Sequence, residues 1–412
     1  MVIQRYLLMD FTVSDKARQL AERLETFMRE YVEPQQQNWE KALLSAATPW
    51  QELPAIRELK AKARAEGLWN LFLPDGELGQ GLSNVDYAPL AEIMGRSLMA
   101  PEIFNCNAPD TGNMEVLYHY GSDAQREQWL KPLLAGEIRS AFCMTEPDVA
   151  SSDATNMQAT ASLDGDQVVL NGRKWWSTGV GHPDCKLLIF MGLTDPSADR
   201  HRRHSMVLVP METPGVKIER MLTAMGHLDA PYGHGEVSFT EVRLPLSAII
   251  AGPGRGFEIA QGRLGPGRIH HCMRLIGLAE HALSLACRRA LDRQAFGRPL
   301  AKLGGNAERI AEARIAIEQA RLLVLKAAWS LDRYGIRQSM SLVSQIKVAV
   351  PSMAQSVIDM AMQLHGGAGL SDDFPLAAAW TAARALRLAD GPDEVHRHLV
   401  ARLELAKYGV EG

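Results

Sequence analysis

The chain has 412 residues, of which 46% are apolar and 22% are charged, and its formal net charge is −4. This length can bury a core that is large enough for a cofactor, and it predicts two or three structural units. The near balance of charge excludes a polybasic surface for nucleic acid, and no apolar run reaches the about 18 residues that membrane insertion requires.

The N-terminal stretch MVIQRYLLMDFTVSDKARQL has no secretory h-region followed by a small-residue cleavage site. The five cysteines are widely spaced and form no C-x-x-C or Cys/His ligand pattern, which predicts reduced thiols and no metal site. We therefore expect a cytoplasmic protein.

Helical periodicity dominates the first third of the chain, which predicts an N-terminal helical domain over residues 1–138. Ala17, Leu20, Leu24 and Phe27 recur on one face, and Pro/Gly breaks such as LPDGELGQG separate the segments. Further helices are predicted over residues 56–65, 87–99 and 124–134.

Residues 139–252 have a shorter apolar period, which predicts a central antiparallel β domain. Short runs such as KLLIFMGL and HSMVLVPM are divided by DG, NG, DP and PG turns. The segment ATASLDGDQVVLNG predicts a hairpin, because Asp164-Gly165 supplies the positive-φ residues of a tight turn.

Helical periodicity returns after AGPGRG and continues to the end, which predicts a C-terminal four-helix bundle over residues 253–412. The predicted helices cover residues 257–294, 308–333, 340–364, 375–388 and 393–407. The fold class is therefore α+β.

Two segments of the β domain combine hydroxyl donors with large aromatic rings: FCMTEPDVASSDATN at 142–156 and GRKWWSTG at 172–179. This combination suits a planar ring system that forms hydrogen bonds. Alternatively, Trp175 and Trp176 only alternate between core and surface while the Ser and Thr residues form turns. No G-x-G-x-x-G turn, P-loop or G-x-S-x-G elbow is present.

Three segments of the C-terminal part are also open to two interpretations. DRQAFGRPL breaks a helical pattern with Gly297 and Pro299, which places Arg293 near a helix end. QLHGGAGL ends another helix with two glycines, where the backbone could approach a phosphate or simply form a C-cap. In LADGPDEVHR, Asp390 or Gly391 could be the N-cap of the last helix, with Pro392 in its first turn, and the residues alone favour capping over catalysis. The histidines are more typical of packed or solvated residues than of metal ligands.

The ordered set CMTEPDVASSD, GRKWWSTG, RQAFGRPL, QLHGGAGL and ADGPDEVHR resembles the acyl-CoA dehydrogenase family over nearly the whole chain. The resemblance implies FAD between the β domain and the C-terminal helices, and a homodimer or a tetramer of dimers. It also implies oxidation of acyl-CoA to trans-2-enoyl-CoA in fatty acid β-oxidation, with electrons passed to an electron-transfer flavoprotein.

By motif position, the resemblance assigns cofactor contacts to five segments. They are the segment 142–156 (the TEP loop), residues 175–178 (the WWST strand), the motifs RQAFGRPL and QLHGGAGL, and the residues that follow Asp390. In the family, Thr178 lies near flavin N5 and the C-terminal motifs reach FAD across the subunit boundary. The assigned residues are Phe142, Met144, Thr145, Ser152, Trp176, Thr178, Arg293, Phe296, Gln363, Gly366, Gly367, Pro392 and Glu394.

Asp390 occupies the position at which many members carry the glutamate that removes the substrate α-proton. The resemblance therefore assigns it as the base, with Gly391 donating to the thioester carbonyl and Arg268 positioning the substrate. Other members place the base where this chain has Gly267, which has no side chain. Aspartate is one methylene shorter than glutamate, so the substrate or the backbone must lie about 1.5 Å closer.

The DGPDEVH form resembles a subgroup whose animal members carry a fused phosphotransferase-like domain and are linked to long or 4-hydroxylated acyl chains. Two alternatives remain: an acyl-CoA oxidase or flavin monooxygenase on the same fold, and a helical binding or scaffold protein that has lost catalysis.

Overall fold

The computed structural model describes residues 9–409, apart from the side chains of residues 37, 40 and 44. Residues 1–8 lie outside the described residues. They belong to the N-terminal stretch for which the sequence predicts no secretory leader. The chain divides into two compact units. The first comprises Met1–Trp39, Lys62–Phe104 and Gly267–Gly412, and the second comprises Glu40–Ala61 and Asn105–Pro266.

Helices occur at both ends of the chain, and none in residues 9–409 combines the length and apolar composition that a bilayer crossing requires. In chain order they are α1 Asp15–Phe27, α2 Gln36–Ser45, α3 Pro54–Ala65, α4 Asn84–Gly95, α5 Ala100–Ile103, α6 Asp110–Tyr120, α7 Asp123–Gln125, α8 Lys131–Ala135, α9 Gly256–Asp292, α10 Asn306–His365, α11 Leu376–Ala385 and α12 Asp393–Leu405.

Helix α10 contains a kink at Gly335, whose φ of 73° and ψ of 175° are not helical. Glycine has no Cβ, so it adopts this conformation at little steric cost. The kink falls between the two helices predicted over residues 308–333 and 340–364, so the prediction of a break here is confirmed.

An unusual cap joins α4 to α10 within the first unit. The Asp332 carboxylate of α10 accepts hydrogen bonds from the backbone N–H groups of Asn84 and Val85, at 2.9 and 3.0 Å. These are donors that the first turn of a helix leaves unsatisfied, and a carboxylate there also complements the helix dipole.

Two glycines allow α4 and α9 to cross at very short range. A methyl group at Gly277 would lie 1.9 Å from the carbonyl oxygen of Glu92, and one at Gly95 would lie 2.1 Å from that of Arg274. Real Cβ atoms do not approach backbone oxygens so closely, so this crossing requires glycine on both helices.

The second unit is built on a seven-stranded sheet in the order β1-β4-β2-β3-β7-β6, with β5 also paired to β4. The strands are β1 Arg139–Cys143, β2 Thr160–Asp164, β3 Gln167–Thr178, β4 Cys185–Leu193, β5 His204–Pro210, β6 Val216–Leu222 and β7 His234–Pro245.

Most neighbouring strands are antiparallel, as predicted, and the predicted Asp164-Gly165 hairpin joins β2 to β3. The sheet is nevertheless mixed, because β1 runs parallel to β4. Turn residues in the sequence identify hairpin neighbours, whereas parallel strands are joined by longer connections that carry no local signal. The prediction of a purely antiparallel domain therefore needs this correction.

The sheet core consists of buried aliphatic and aromatic residues such as Leu170, Leu188, Phe190, Val209 and Phe239. Helix α6 of the same unit was not predicted. Its residues from Asp110 to Leu117 are all buried, so it lacks the apolar and polar faces that create a helical period.

We expect Gly277→Ala to destabilise the protein by about 3 kcal/mol, because the new methyl group must push α4 and α9 apart. Urea unfolding should show the loss as a lower midpoint with a similar slope. Gly76→Ala is the matched control, since a Cβ at that position meets nothing within 4 Å. Equal midpoints for the two variants would show that the crossing tolerates a side chain.

Candidate functional site

Asp390 lies in the short loop between α11 and α12, and its backbone has an unusual conformation. Its φ is +56°, in the left-handed region, and Gly391 follows with a φ of +103°. For a residue with a Cβ this conformation costs on the order of 1–3 kcal/mol, so other contacts must compensate.

The alternative of helix capping does not fit the geometry of this loop. The N-cap of α12 is Pro392, which makes no side-chain capping bond, and the helix begins at Asp393. The Asp393 carboxylate is buried and pairs with Arg387 at 2.8 Å. The alternative in which Asp390 or Gly391 is the N-cap of the last helix was therefore wrong.

Two side chains hold the carbonyl oxygen of Asp390. It accepts hydrogen bonds from Nε of Arg268 at 2.9 Å and from Nε2 of His396 at 3.2 Å. On the other side of the ring, Nδ1 of His396 lies 3.1 Å from Oγ of Ser344. Burial, together with the nearby charges of Arg268 and Lys347, lowers the pKa of His396 to about 4. The ring is therefore neutral at pH 7, with its proton on Nε2 and the Ser344 hydroxyl donating to Nδ1.

Lys347 supports the same loop from α10. Its Nζ donates to the carbonyl oxygen of Leu386 and lies 3.5 Å from that of Gly391. The residue is almost fully buried, and burial lowers the pKa of its ammonium group. Three helices, α9, α10 and α12, thus supply the groups that determine where Asp390 lies.

The carboxylate of Asp390 is 17% exposed and lies beside α9. Its Oδ2 atom is 3.6 Å from Nε2 of His271, whose Nδ1 lies 3.2 Å from a guanidinium nitrogen of Arg274. A guanidinium can only donate, so Nδ1 accepts and the ring proton is on Nε2, facing the carboxylate. A Cβ at Gly267 would lie only 3.7 Å from Oδ2, so the bare backbone there leaves space beside the acid.

In the second unit, a buried ion pair holds the TEP loop against β3. Nζ of Lys174 donates to Glu146 at 2.7 Å and to the carbonyl oxygen of Met144 at 2.9 Å. The same carboxylate accepts from the backbone N–H groups of Gln158 and Ala159. A paired and fully hydrogen-bonded buried charge fixes geometry strongly.

The WWST segment ends β3 with an irregular backbone. Trp176 has a φ of +51°, the register shifts between Lys174 and Ser177, and the Trp176 side chain is 40% exposed. Trp175 donates its backbone N–H to the carbonyl oxygen of Thr145 at 2.9 Å, which joins this strand to the TEP loop. The bulge therefore turns one large ring outward, as a ring-stacking site requires.

The structure brings most of the predicted residues of this unit together. The two joined segments contain Met144, Thr145, Trp176 and Thr178. The guanidinium of Arg263 stacks over the Phe142 ring, with its carbon 3.9 Å from the ring centroid. Ser152 is exposed, further along the same loop.

The predicted C-terminal residues are exposed in the first unit. Arg293 directly precedes a short hairpin of β8 Gln294–Ala295 and β9 Arg298–Pro299, and Phe296 lies in the turn between these two strands. Gln363, Gly366 and Gly367 lie where α10 ends. Arg289 of α9 contacts the carbonyl oxygen of His365 at 3.5 Å, which brings the two motifs near each other. Glu394 points into solvent and Pro392 is the N-cap.

Sequence reasoning missed several residues that shape the site: Lys174 with Glu146, His271, Lys347, His396, and the His234–Asp229 pair. Most of them act through partners that are distant in the sequence, so no local pattern could identify them. His396 lies within the DGPDEVHR motif, but only the fold reveals that its ring holds Asp390.

These features fit FAD. Within the described residues, the buried Nε1 of Trp175 finds no hydrogen-bond partner, and Trp176 offers an aromatic face beside it. A Cβ at Gly366 or Gly367 would meet nothing within 4 Å, so these backbones are open to the close approach of a phosphate.

Models of the acyl-CoA dehydrogenase N-terminal, middle and C-terminal domains match residues 14–137, 141–242 and 254–405. The chain is 54% identical to "Acyl-CoA dehydrogenase family member 10" of Mus musculus over 95% of its length, and it covers 37% of that protein. It is 52% identical to "Probable acyl-CoA dehydrogenase FadE2" of Mycobacterium tuberculosis over 97% of this chain and 98% of that one.

The chain spans about half the length, or less, of the animal relatives that it matches. A solved structure of a Mycobacterium abscessus protein assigned to the acyl-CoA dehydrogenases has a TM-score of 0.94 and 68% identity, over 96% of this chain and all of that one. The predicted fold class is thereby confirmed. Three domain models match in order along most of the chain, and two relatives are identical to it at more than half of the aligned positions. The chain therefore belongs to the acyl-CoA dehydrogenase family.

Proposed function

We propose that this chain is an FAD-dependent acyl-CoA dehydrogenase that converts an acyl-CoA thioester to a trans-2-enoyl-CoA, with Asp390 as its catalytic base. One observation carries the proposal: Asp390 is held in a left-handed conformation by Arg268 and His396, and its carboxylate faces the bare backbone of Gly267. Strained backbone that is held by several partners is typical of active sites.

Removing a proton from carbon requires an ionised carboxylate that is placed within contact of that carbon. The Arg268 guanidinium and the Nε2–H of His271 both favour the ionised form of Asp390. Only 17% of the side chain is exposed, so few water molecules compete for the carboxylate. Because aspartate is short, the backbone must bring it to the substrate, and the bonds to its carbonyl oxygen fix that backbone.

Negative charge develops on the thioester oxygen as the α-proton leaves. We assign the N–H of Gly391 as a donor to this oxygen, since it directly follows the base in the chain. A donor that is already in place when charge develops is worth several kcal/mol of barrier in comparable sites. Arg268 remains assigned to the substrate site, although its Nε is occupied by the Asp390 carbonyl oxygen and so also positions the base.

When bound, FAD supplies the two-electron acceptor for the β-hydrogen of the substrate. Membership of the family supports this cofactor, and the residues that would hold it are those that the resemblance assigns. Trp176 would pack against the ring, Thr178 would bond near its N5, and the TEP loop would meet its phosphates. The two C-terminal motifs would reach the cofactor from a partner subunit.

We further propose that the chain forms a homodimer or a tetramer of dimers, transfers electrons to an electron-transfer flavoprotein, and acts in cytoplasmic fatty acid β-oxidation. The exposed Phe296 supports a partner subunit at the FAD site, since 96% of its side chain is accessible in the single chain. If a partner covers it there, FAD binding and assembly stabilise each other.

We expect Asp390→Asn to keep the bound yellow flavin but to bleach with acyl-CoA about 10²–10⁴-fold more slowly, because the amide cannot accept the α-proton. Anaerobic stopped-flow absorbance with a panel of acyl-CoAs measures the rate. Asp359→Asn removes an exposed carboxylate of α10 and is the control for charge. Bleaching of Asp390→Asn at the wild-type rate would exclude Asp390 as the base.

Reoxidation of the bleached wild-type enzyme by air distinguishes the proposed dehydrogenase from an oxidase on the same fold. Slow reoxidation supports the dehydrogenase, and rapid release of peroxide would support the oxidase. A purified chain that carries no flavin would contradict the proposed function altogether.

We expect Gly267→Glu, introduced into the Asp390→Asn variant, to restore part of the bleaching. A Cβ at this position lies 3.7 Å from the place of the lost carboxylate oxygen, so the new carboxylate can reach the same space. The gain should be about tenfold, or 1.4 kcal/mol of barrier, over Gly267→Gln in the same background. Equal rates for these two double variants would show that a carboxylate on α9 cannot serve the site.

A further inference from the structure

His234 begins β7 directly opposite Thr178, the last residue of β3. Its Nδ1 atom lies 2.9 Å from Oγ1 of Thr178, and its Nε2 atom lies 3.6 Å from Oδ2 of Asp229. The ring also packs against Trp176, with centroids 5.2 Å apart. Thr178 therefore shares its hydroxyl group with an imidazole that has a carboxylate on its far side.

The charges in this cluster determine which nitrogen of His234 carries the proton. Burial raises the pKa of the Asp229 carboxyl group, and His234 acts in the opposite direction. Because 51% of the side chain is exposed to solvent, we assign it as a carboxylate. Burial lowers the pKa of His234, with Asp229 acting in the opposite direction, so the imidazole is neutral. A neutral ring beside a carboxylate keeps its proton on the nitrogen that faces the negative charge, which is Nε2. Nδ1 is then a bare acceptor.

The hydroxyl group of Thr178 must consequently donate its proton to Nδ1 of His234. A hydroxyl has one proton and two lone pairs, so the oxygen can still accept a hydrogen bond from a third group but can no longer donate one. Without His234, the same hydroxyl could rotate and either donate or accept.

We propose that His234 and Asp229 are positioning residues that make Thr178 an acceptor, and that the flavin site thereby favours the reduced cofactor over the oxidised one. This inference rests on the proposed function, in which Thr178 lies near flavin N5. Reduced flavin carries a proton on N5 and can donate to the hydroxyl oxygen, whereas N5 of oxidised flavin has only a lone pair. An acceptor at this position raises the midpoint potential of the flavin.

The test is the midpoint potential of the bound flavin, measured by anaerobic reduction with dithionite in the presence of a reference dye. His234→Phe removes the acceptor without changing the net charge, and Thr178→Val removes the hydroxyl. Each variant should shift the equilibrium about tenfold toward oxidised flavin, which for two electrons is about 30 mV. Thr178→Ser should retain the wild-type potential.

The double variant tests whether the two residues act through the same hydrogen bond. In the Thr178→Val background, His234→Phe should cause no further shift, because the hydroxyl that it orients is already absent. His201→Phe is the matched control, since it makes the same substitution at an exposed histidine of the same unit. An unchanged potential in His234→Phe, or an equal shift with and without the hydroxyl, would overturn the inference.

A second measurement needs no variant and so does not depend on how a substituted chain folds. Nitrogen chemical shifts of the histidine-labelled holoenzyme report the tautomer of His234, which we expect to be bare at Nδ1. A proton on Nδ1 would overturn the inference and leave the proposed function intact. A wild-type chain that purifies without flavin would overturn both.

Discussion

The hydrogen bonds to the carbonyl oxygen of Asp390 are the constraint on which the proposed active site depends. Arg268 and His396 belong to two different helices. From a third helix, Ser344 contacts the His396 ring and Lys347 contacts the carbonyl oxygen of Gly391. A hydrogen bond that involves a charged group contributes about 1.5–3 kcal/mol, which is enough to offset the strain of a left-handed aspartate. The position of the acid is therefore a property of helix packing and not of the loop alone.

Because the position of Asp390 depends on hydrogen bonds from several helices, ionisable groups are buried around its carboxylate. His396 is neutral because burial lowers its pKa to about 4, so it provides a directed N–H without an additional charge. Arg268 keeps its charge near the carboxylate although burial lowers its pKa. Each of these groups has a partner, and a buried polar network is rigid when its members are satisfied.

The sequence was sufficient for the order of helices and strands, the Asp164-Gly165 hairpin, the break in α10 and the family, because periodicity, turn residues and motif order are local. It failed where the determining contact is not local. Helix α6 is buried all round and shows no period, and the parallel pairing of β1 with β4 joins strands that no turn connects. The acid at position 390 was identified by resemblance. Its left-handed conformation, the N-cap at Pro392 and the histidine that holds its carbonyl oxygen depend on the fold and have no local signal.

The Lys174–Glu146 pair has a consequence for how a cofactor would enter. One buried carboxylate joins β3, the TEP loop and the segment that leads into β2, and every one of these bonds forms within the protein itself. A loop that is already ordered loses little conformational entropy when a ligand arrives. FAD would then bind to a loop that is already ordered. The association rate would therefore be limited by diffusional encounter and not by folding of the loop.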